Sequence, residues 1–482
     1  MIATDMQPAS IVEDVGFQRL VHLLDSRYQL PSWRTLMRKL PNMYSKRVKE
    51  IKQELAQISH VALTSDIWTS RTTQSYLTLT CHFLTSSWEL KTLVLGTFEL
   101  NNDHTADNIA EALQRVAGSW GISNKIVAMV TDNAANIVAA VRMTGWMHIP
   151  CFAHTLNLVV SDAIKADASV HGLKRKCKQI VTFFHHSVKS TEKLKEIQGQ
   201  LGIPEHKLIQ EVETRWNSTY YMFQRITEQH QAVTTALCLA NRSDLCLTST
   251  DVELLKAAVA VLKPFEATTR EVSADKYVSI SKIIPLARSL QHLTSGTDKD
   301  ITLVTELTAQ LRRRFTNIES AHLLAISTLL DPHIKKLAFQ DSGAVRQGEQ
   351  WIIQEMAGLV PADSQPSVDD TQSTSTDLWD LFNAKVAQSY THRTGTSSAT
   401  LEARKFFEEQ IVPHKDDPLL WWRAHVDHYS LLSQLARKYL CIPGTSVPSE
   451  RLFSKAGELV SLRRSRIKPK HVNMFLFLNQ NL

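Results

Sequence analysis

VALTSDIWTS (residues 61–70) alternates apolar and other side chains along its length. Val61, Leu63 and Ile67 fall on one face of a strand with this period of two, whereas the opposite face carries polar groups that include Asp66. The segment is therefore predicted to be a strand, and the rest of the fold can be worked out from it.

Two further strands are predicted directly after it, at residues 76–85 and 89–100. Their short connections contain Ser and Thr and favour an antiparallel meander. The period then changes, because apolar residues at helical spacing predict an amphipathic helix over 104–119. A continuously apolar run at 126–130 is typical of a strand covered on both faces. This order predicts an α/β domain with a mixed sheet, in which the first and fourth strands can be neighbours.

Beyond residue 150 the apolar spacing is overwhelmingly helical, and two polar, low-complexity runs at 361–376 and 391–400 predict a linker. Expected helices lie at 151–166, 177–190, 218–237, 251–272, 301–315, 401–410, 418–440 and 471–482. We predict five consecutive parts: an N-terminal helical segment over 1–60, the first part of the α/β core over 61–190, an all-α insertion over 191–360, the linker over 361–400, and a C-terminal region over 401–482.

The composition is that of an ordinary soluble globular chain, with 43% hydrophobic and 21% charged residues. No apolar run is long enough to span a bilayer and the N-terminus lacks a signal-peptide pattern, so we expect an intracellular protein with no membrane partner. The six cysteines lack paired spacing, so we expect reduced thiols. A zinc finger would require a Cys-x2-Cys pair followed by paired histidines, and the sequence contains no such motif. The net charge of +6 permits a polyanionic partner.

Asp66 is a candidate functional residue because aspartate is depleted from strands, where its side chain competes for backbone groups. Asp132 follows the fourth strand and precedes a helix, and an aspartate at that position is most simply an N-cap. If the first and fourth strands are neighbours, both carboxylates project from one region. Their repulsion would then favour a bound Mg²⁺ or Mn²⁺ ion.

CIPGTSVPSERLFSKAG (residues 441–457) contains the third candidate, Glu450. Pro448 with the two residues after it predicts the first turn of a new helix. A carboxylate there can simply complement the helix dipole. It can also be the last member of a metal site whose other carboxylates lie far upstream, and two-metal sites of that kind support attack at a phosphate.

Several motifs carry a resemblance to a known family: TSDIWTS, VTDNAANI, IPCFAHTLNLVV, ETRWNSTYYMFQRI, STLLDPHIK and KYLCIPGTSVPSERLFSKAGELVSLRRSRIKPKHVNMFLFLNQNL. They resemble the hAT superfamily of DNA transposases, and within it the domesticated BED-type zinc-finger proteins, from about residue 11 to residue 482. The resemblance implies an RNase H-like mixed sheet interrupted by a large all-α insertion. It also implies a C-terminal helical region that completes the core and forms a homodimer or larger homo-oligomer through residues 415–482.

Carried over by position, the DDE metal-binding triad of the superfamily falls on Asp66, Asp132 and Glu450. The resemblance thus favours the metal-site interpretation of Glu450 over the dipole interpretation. It implies a nuclear protein that uses Mg²⁺ or Mn²⁺ to cleave and transfer DNA strands. A domesticated, catalytically inactive DNA-binding, transcription-regulatory or chromatin protein is the alternative, and a transposon relic that folds poorly is a third. Members of this type begin with a BED zinc finger, but no zinc is predicted in this sequence.

Further DNA-binding candidates come from the same resemblance. It places His154, with Cys151 in a Cys-x2-His motif, near the active site, although packing and hydrogen bonding explain such a pair as well. It matches Trp216, beside Arg215, to a tryptophan that stacks on a flipped base, with a buried core residue as the alternative. A basic run that can contact phosphates or form a solvated face comprises Arg463, Arg464, Arg466, Lys468 and Lys470.

Overall fold

The computed structural model describes residues 2–69, 74–100, 103–273, 278–296, 302–360, 395–413, 415–452 and 469–482. Its strands are β1 (Val61–Thr69), β2 (Ser75–Leu84), β3 (Leu90–Glu99), β4 (Ile126–Thr131) and β5 (His148–Pro150). The helices up to residue 200 are α1 (Val15–Leu24), α2 (Trp33–Ala56), α3 (Ala106–Trp120), α4 (Ala135–Thr144), α5 (Phe152–Ala166), α6 (Ala168–His186) and α7 (Val188–Gln200).

The later helices are α8 (Trp216–Leu239), α9 (Ser249–Val272), α10 (Ile283–Gly296), α11 (Thr302–Arg314), α12 (His322–Leu329), α13 (Ser342–Leu359), α14 (Gly395–Glu408), α15 (Pro418–His425), α16 (Ser430–Leu440) and α17 (Pro469–Asn481). Residues 447–452 are also helical, and they begin where the proline-containing turn was predicted. Most of the predicted linker, residues 361–394, lies outside the described residues. Among the described helices, none is both long and apolar enough to cross a membrane.

The strands form one mixed sheet in the order β3-β2-β1-β4-β5. β1, β2 and β3 pair antiparallel, whereas β4 runs parallel to both β1 and β5. The predicted meander is confirmed, and the first and fourth strands are neighbours, as the predicted order of elements allows. β5 is a three-residue strand that the sequence did not predict.

The two faces of this sheet differ in composition. One, which we call the apolar face, carries Leu63, Leu77, Leu79, Cys81 and Phe83, all in a buried cluster with side chains of α2, α3 and α17. The other, which we call the polar face, carries on β1 and β2 the residues Thr64, Asp66, Thr78, Thr80 and His82. Cross-strand pairing sets this arrangement, because Thr64 lies opposite Thr80 and Asp66 lies opposite Thr78.

The helix α17 protects the outer edge of the sheet. The side chain of Asn481 accepts a hydrogen bond from the N–H of Val94, at 3.0 Å, and donates one to its carbonyl oxygen, at 2.8 Å. Asn473 accepts a further bond from the N–H of Thr97 at 2.8 Å. Backbone groups of β3 that would otherwise form an open edge are thereby paired.

Two predicted helices are each divided in the structure. The segment predicted at 177–190 is broken at Ser187, whose hydroxyl accepts the N–H of Ser190 at 3.1 Å and so caps α7. The segment predicted at 418–440 forms α15 and α16, separated at Tyr429, which has φ −121° and ψ 66°. The ring of Tyr429 is buried against Phe406, and this tertiary contact ends the helix that local spacing favours.

The chain forms two compact units. The first comprises residues 1–151, 275–284 and 318–482 and contains the whole sheet. The second comprises 152–274 and 285–317 and is helical. The five-part division made from the sequence stays a prediction.

Candidate functional site

Asp66 lies on the polar face of β1 in an unfavourable environment for a carboxylate. Its pKa is raised to about 8, first by burial and then by the negative charges of Glu450 and Asp132. A hydrogen bond from the N–H of Ile67 to Oδ1, at 2.8 Å, opposes part of this rise. The two other acid groups of the predicted triad therefore lie within electrostatic range of Asp66.

Asp132 follows the last residue of β4, which is the parallel neighbour of β1. Its Oδ1 accepts the N–H of Ala134 at 3.1 Å. The N-cap of α4 is Ala134 and not Asp132, and no side chain caps that helix. Asp132 thus organises the turn after β4 without taking the capping role that its sequence position suggested.

Glu450 lies in the helical residues 447–452. The carbonyl oxygen of Ser446 accepts the N–H groups of Ser449, at 2.9 Å, and Glu450, at 3.2 Å, so Ser446 begins this helix. The hydroxyl of Ser446 also donates to Oε1 of Glu450 at 3.5 Å. Ser446 therefore both begins the helix and contacts the carboxylate of Glu450, and these local hydrogen bonds restrict the position of that carboxylate.

Cys151 connects the Asp132 side of the site with the Glu450 side. Its N–H donates to the carbonyl oxygen of Thr131 at 2.7 Å, directly before Asp132. Its buried Sγ accepts the N–H of Ser446 at 3.3 Å. In the structure Cys151 therefore has a hydrogen-bonding role, which is one of the two explanations of the Cys-x2-His motif.

The donor set can be tested against a divalent metal ion. As they stand, no three His, Cys, Asp or Glu side chains among the described residues are close enough together to enclose an ion. Carboxylate oxygens are nevertheless the ligands that Mg²⁺ and Mn²⁺ take. A cation would also offset the repulsion that raises the pKa of Asp66. In chemistry and charge the residues therefore suit such an ion, which Asp66, Asp132 and Glu450 would hold.

The remaining DNA-binding candidates are not all placed. Trp216 is 3% exposed, with its ring edge-on to Phe265 at 6.5 Å, so stacking on a base would require this indole to leave its packing. Arg215 is exposed directly before α8, and His154 is half-buried in the first turn of α5. These residues belong to the helical unit. Lys470 is exposed at the start of α17, and the rest of the basic run, Arg463, Arg464, Arg466 and Lys468, lies outside the described residues.

Two features near the triad were missed from the sequence. His148 on β5 shares a 2.9 Å hydrogen bond with the hydroxyl of Thr131, and burial and Arg142 lower its pKa while Asp132 raises it. Ser449 is buried and contacts the hydroxyl of Thr64 at 2.6 Å. Only its position beside Glu450 could have drawn attention to it.

The sheet order and the helical second unit define an RNase H-like α/β protein. Comparison with family models agrees: an RNase-like domain matches residues 64–145, and an RNase-like helical domain matches residues 149–260, both named after ZBED1. The hAT family C-terminal dimerisation region matches residues 402–482.

Individual relatives extend over nearly the whole chain. The human zinc finger BED domain-containing protein 4 is 30% identical over 508 residues, covering 100% of this chain and 43% of the relative. A putative transcriptional regulator of Talaromyces stipitatus is 25% identical (99% of this chain, 60% of the relative), as is the putative AC9 transposase of Zea mays (95% and 62%). The chain thus carries the C-terminal dimerisation region of the hAT family together with ZBED1-type RNase-like domains, and it is similar both to transposases and to BED-type zinc-finger proteins. It spans about half the length of the human relatives it matches.

Proposed function

We propose that this protein is a nuclear, homo-oligomeric hAT transposase-like nuclease in which Asp66, Asp132 and Glu450 hold Mg²⁺ or Mn²⁺ for DNA strand cleavage and transfer. The observation that carries the proposal is geometric. β4 is the parallel neighbour of β1, and Ser449 contacts Thr64 two residues before Asp66, so Asp132 and Glu450, from distant segments, lie within electrostatic range of Asp66. The dimerisation region over 402–482 supports homo-oligomerisation.

The chain's own groups would hold the metal-binding carboxylates and orient their oxygens. The N–H of Ile67 fixes one oxygen of Asp66, and the N–H of Ala134 fixes one oxygen of Asp132. A bound divalent ion would supply charge neutralisation at the phosphate and activation of an attacking oxygen. Because the pKa of Asp66 is about 8 without a cation, Asp66 should lose its proton as the ion enters. Metal affinity should therefore rise with pH up to about pH 8.

The test is nicking of a labelled DNA duplex by the purified chain with Mn²⁺ or Mg²⁺. Asp66→Asn, Asp132→Asn and Glu450→Gln keep the shape of each side chain and remove its charge, so each should reduce nicking to background. Glu89→Ala removes an exposed acid from the turn between β2 and β3 and is the matched control, which should nick normally. Circular dichroism verifies that every variant is folded.

A domesticated regulatory protein is the second candidate. It is favoured by the relative named as a putative transcriptional regulator and by the absence, among the described residues, of a ready-made metal cage. A folded, dimeric wild-type preparation that binds DNA but does not nick it with either metal would replace the nuclease proposal with this one.

A further inference from the structure

The polar face of the sheet contains a closed group of buried hydroxyls. Thr64 and Thr80, opposite each other on β1 and β2, share a hydrogen bond between their Oγ1 atoms. The hydroxyl of Ser449 lies 2.6 Å from that of Thr64 and 3.4 Å from that of Thr80. All three residues are at most 1% exposed. We call them the hydroxyl anchor.

His82 completes the anchor on its far side. One ring nitrogen lies 2.9 Å from the hydroxyl of Thr80, and the other lies 3.0 Å from the hydroxyl of Thr92. Burial lowers the pKa of His82 to about 3, so the ring is neutral and offers one donor and one acceptor. Each buried hydroxyl of the anchor therefore has a partner, which avoids the cost of an unpaired polar group.

The anchor joins parts of the chain that are 385 residues apart, and each part carries a triad residue next to its anchoring residue. On β1, Asp66 lies two positions after Thr64 and hence on the same face. In the helical residues 447–452, Glu450 directly follows Ser449. Consecutive helical side chains point about 100° apart, so Ser449 can face the sheet while Glu450 projects in a different direction. The contact between Thr64 and Ser449 therefore also restricts the distance between Asp66 and Glu450.

We propose that Thr64, Thr80 and Ser449 are positioning residues that set the separation of Asp66 and Glu450 through their shared hydroxyl contact. This inference rests on the proposed function, since it assigns the anchor to the same metal site. The anchor does not touch the metal or the DNA, and its effect is exerted through the two carboxylates.

Substitutions that keep shape and remove a hydroxyl test this role. Thr64→Val and Ser449→Ala should each weaken Mn²⁺ binding about 10-fold, measured by electron paramagnetic resonance of free Mn²⁺. The double variant should be no weaker than either single variant, because both remove the same contact. Thr64→Ser loses a methyl group and keeps the hydroxyl, so it should restore binding.

Thr97→Val is the matched control. Thr97 is a buried threonine on the same face, and its hydroxyl contacts that of Thr78 at 3.2 Å, outside the anchor. The Thr97→Val variant should lose stability, as Thr64→Val does, but should keep the Mn²⁺ affinity of the wild type. Equal Mn²⁺ affinity in Thr64→Val and Thr97→Val would overturn the inference, because the hydroxyls would then serve stability alone.

A metal-independent measurement separates this inference from the proposed function. Hydrogen–deuterium exchange in the amides of residues 447–452 should accelerate in Thr64→Val and Ser449→Ala and stay unchanged in Thr97→Val. Unchanged exchange in the first two variants overturns the anchor even if the wild type nicks DNA. Accelerated exchange in a protein that neither binds Mn²⁺ nor nicks DNA supports the anchor's hold on Glu450 and refutes the metal-site function.

Discussion

The two faces of the sheet are built from alternate residues of the same strands, yet they hold different kinds of interaction. On the apolar face, Leu79 and Phe83 belong to a buried cluster with side chains from the four helices α2, α3, α4 and α17. On the polar face, Thr80 and His82, their sequence neighbours, are equally buried but hydrogen-bonded. Burial on one face therefore supplies stability through the hydrophobic effect. On the polar face, burial is accompanied by hydrogen bonds, which fix the orientation of the side chains.

The largest expected effect lies at a fully buried ring of the apolar face. Phe83→Ala should lower the free energy of unfolding by about 3–5 kcal/mol, because a buried ring is removed and a cavity remains. Urea denaturation followed by circular dichroism measures this loss. A loss of about 1 kcal/mol or less would mean that the site collapses around the missing ring, and the contrast between the faces would break down.

A smaller stability effect is expected on the polar face. Thr80→Val keeps the side-chain shape but leaves Thr64, Ser449 and His82 each short of one partner, at a cost of about 1–3 kcal/mol. The same denaturation experiment applies, with Thr80→Ser as the control that keeps the hydroxyl. The comparison fails if the Val and Ser variants unfold at the same urea concentration.

Asp66 should destabilise the metal-free fold at neutral and alkaline pH. Its pKa rises from 3.8 in the unfolded chain to about 8 in the fold, so between these values the folded state binds a proton that the unfolded state does not. This contribution to stability is present below about pH 4 and is lost as the pH rises to about 8. Asp66→Asn removes the dependence, so its Tm should exceed that of the wild type by about 1–3 °C at pH 8.5 and by less at pH 5.

Differential scanning fluorimetry with a chelator across that pH range measures the difference in Tm. Asp103→Asn, which removes an exposed acid, is the control. Adding Mn²⁺ should reverse the order at pH 8.5, because only the wild type keeps all three carboxylates. A wild-type advantage at pH 8.5 without metal would contradict the electrostatic account of the site.

The smallest effect is expected at the rim of the apolar face. Lys91 on β3 pairs with Glu54 of α2 at 2.6 Å, and both side chains are partly exposed. Lys91→Ala should change the free energy of unfolding by about 0.5 kcal/mol and should matter less in high salt. Denaturation at low and high ionic strength tests this. A change as large as that in Phe83→Ala would mean that ion pairs at the rim of the apolar face contribute as much to stability as its buried side chains.

Much of the sheet could be predicted because its signals are local. Alternation along 61–70 assigned Asp66 to the correct face, and helical spacing over 104–119 anticipated α3. The break at Tyr429 was missed because a tertiary aromatic contact overrides the local helical pattern. The contact of Ser449 with Thr64 was missed for a related reason. No local pattern shows which serine will meet a strand 385 residues away.

The pairing of α17 with β3 has a consequence for how the protein is made. The asparagines that pair with the backbone of β3 follow it by 376 and 387 residues. During synthesis the strands emerge early, and the edge of β3 stays open until residues 469–482 leave the ribosome. Throughout that interval the nascent chain carries an unpaired strand edge that can template aggregation. Chains interrupted before α17 should therefore require chaperones more than chains that contain α17.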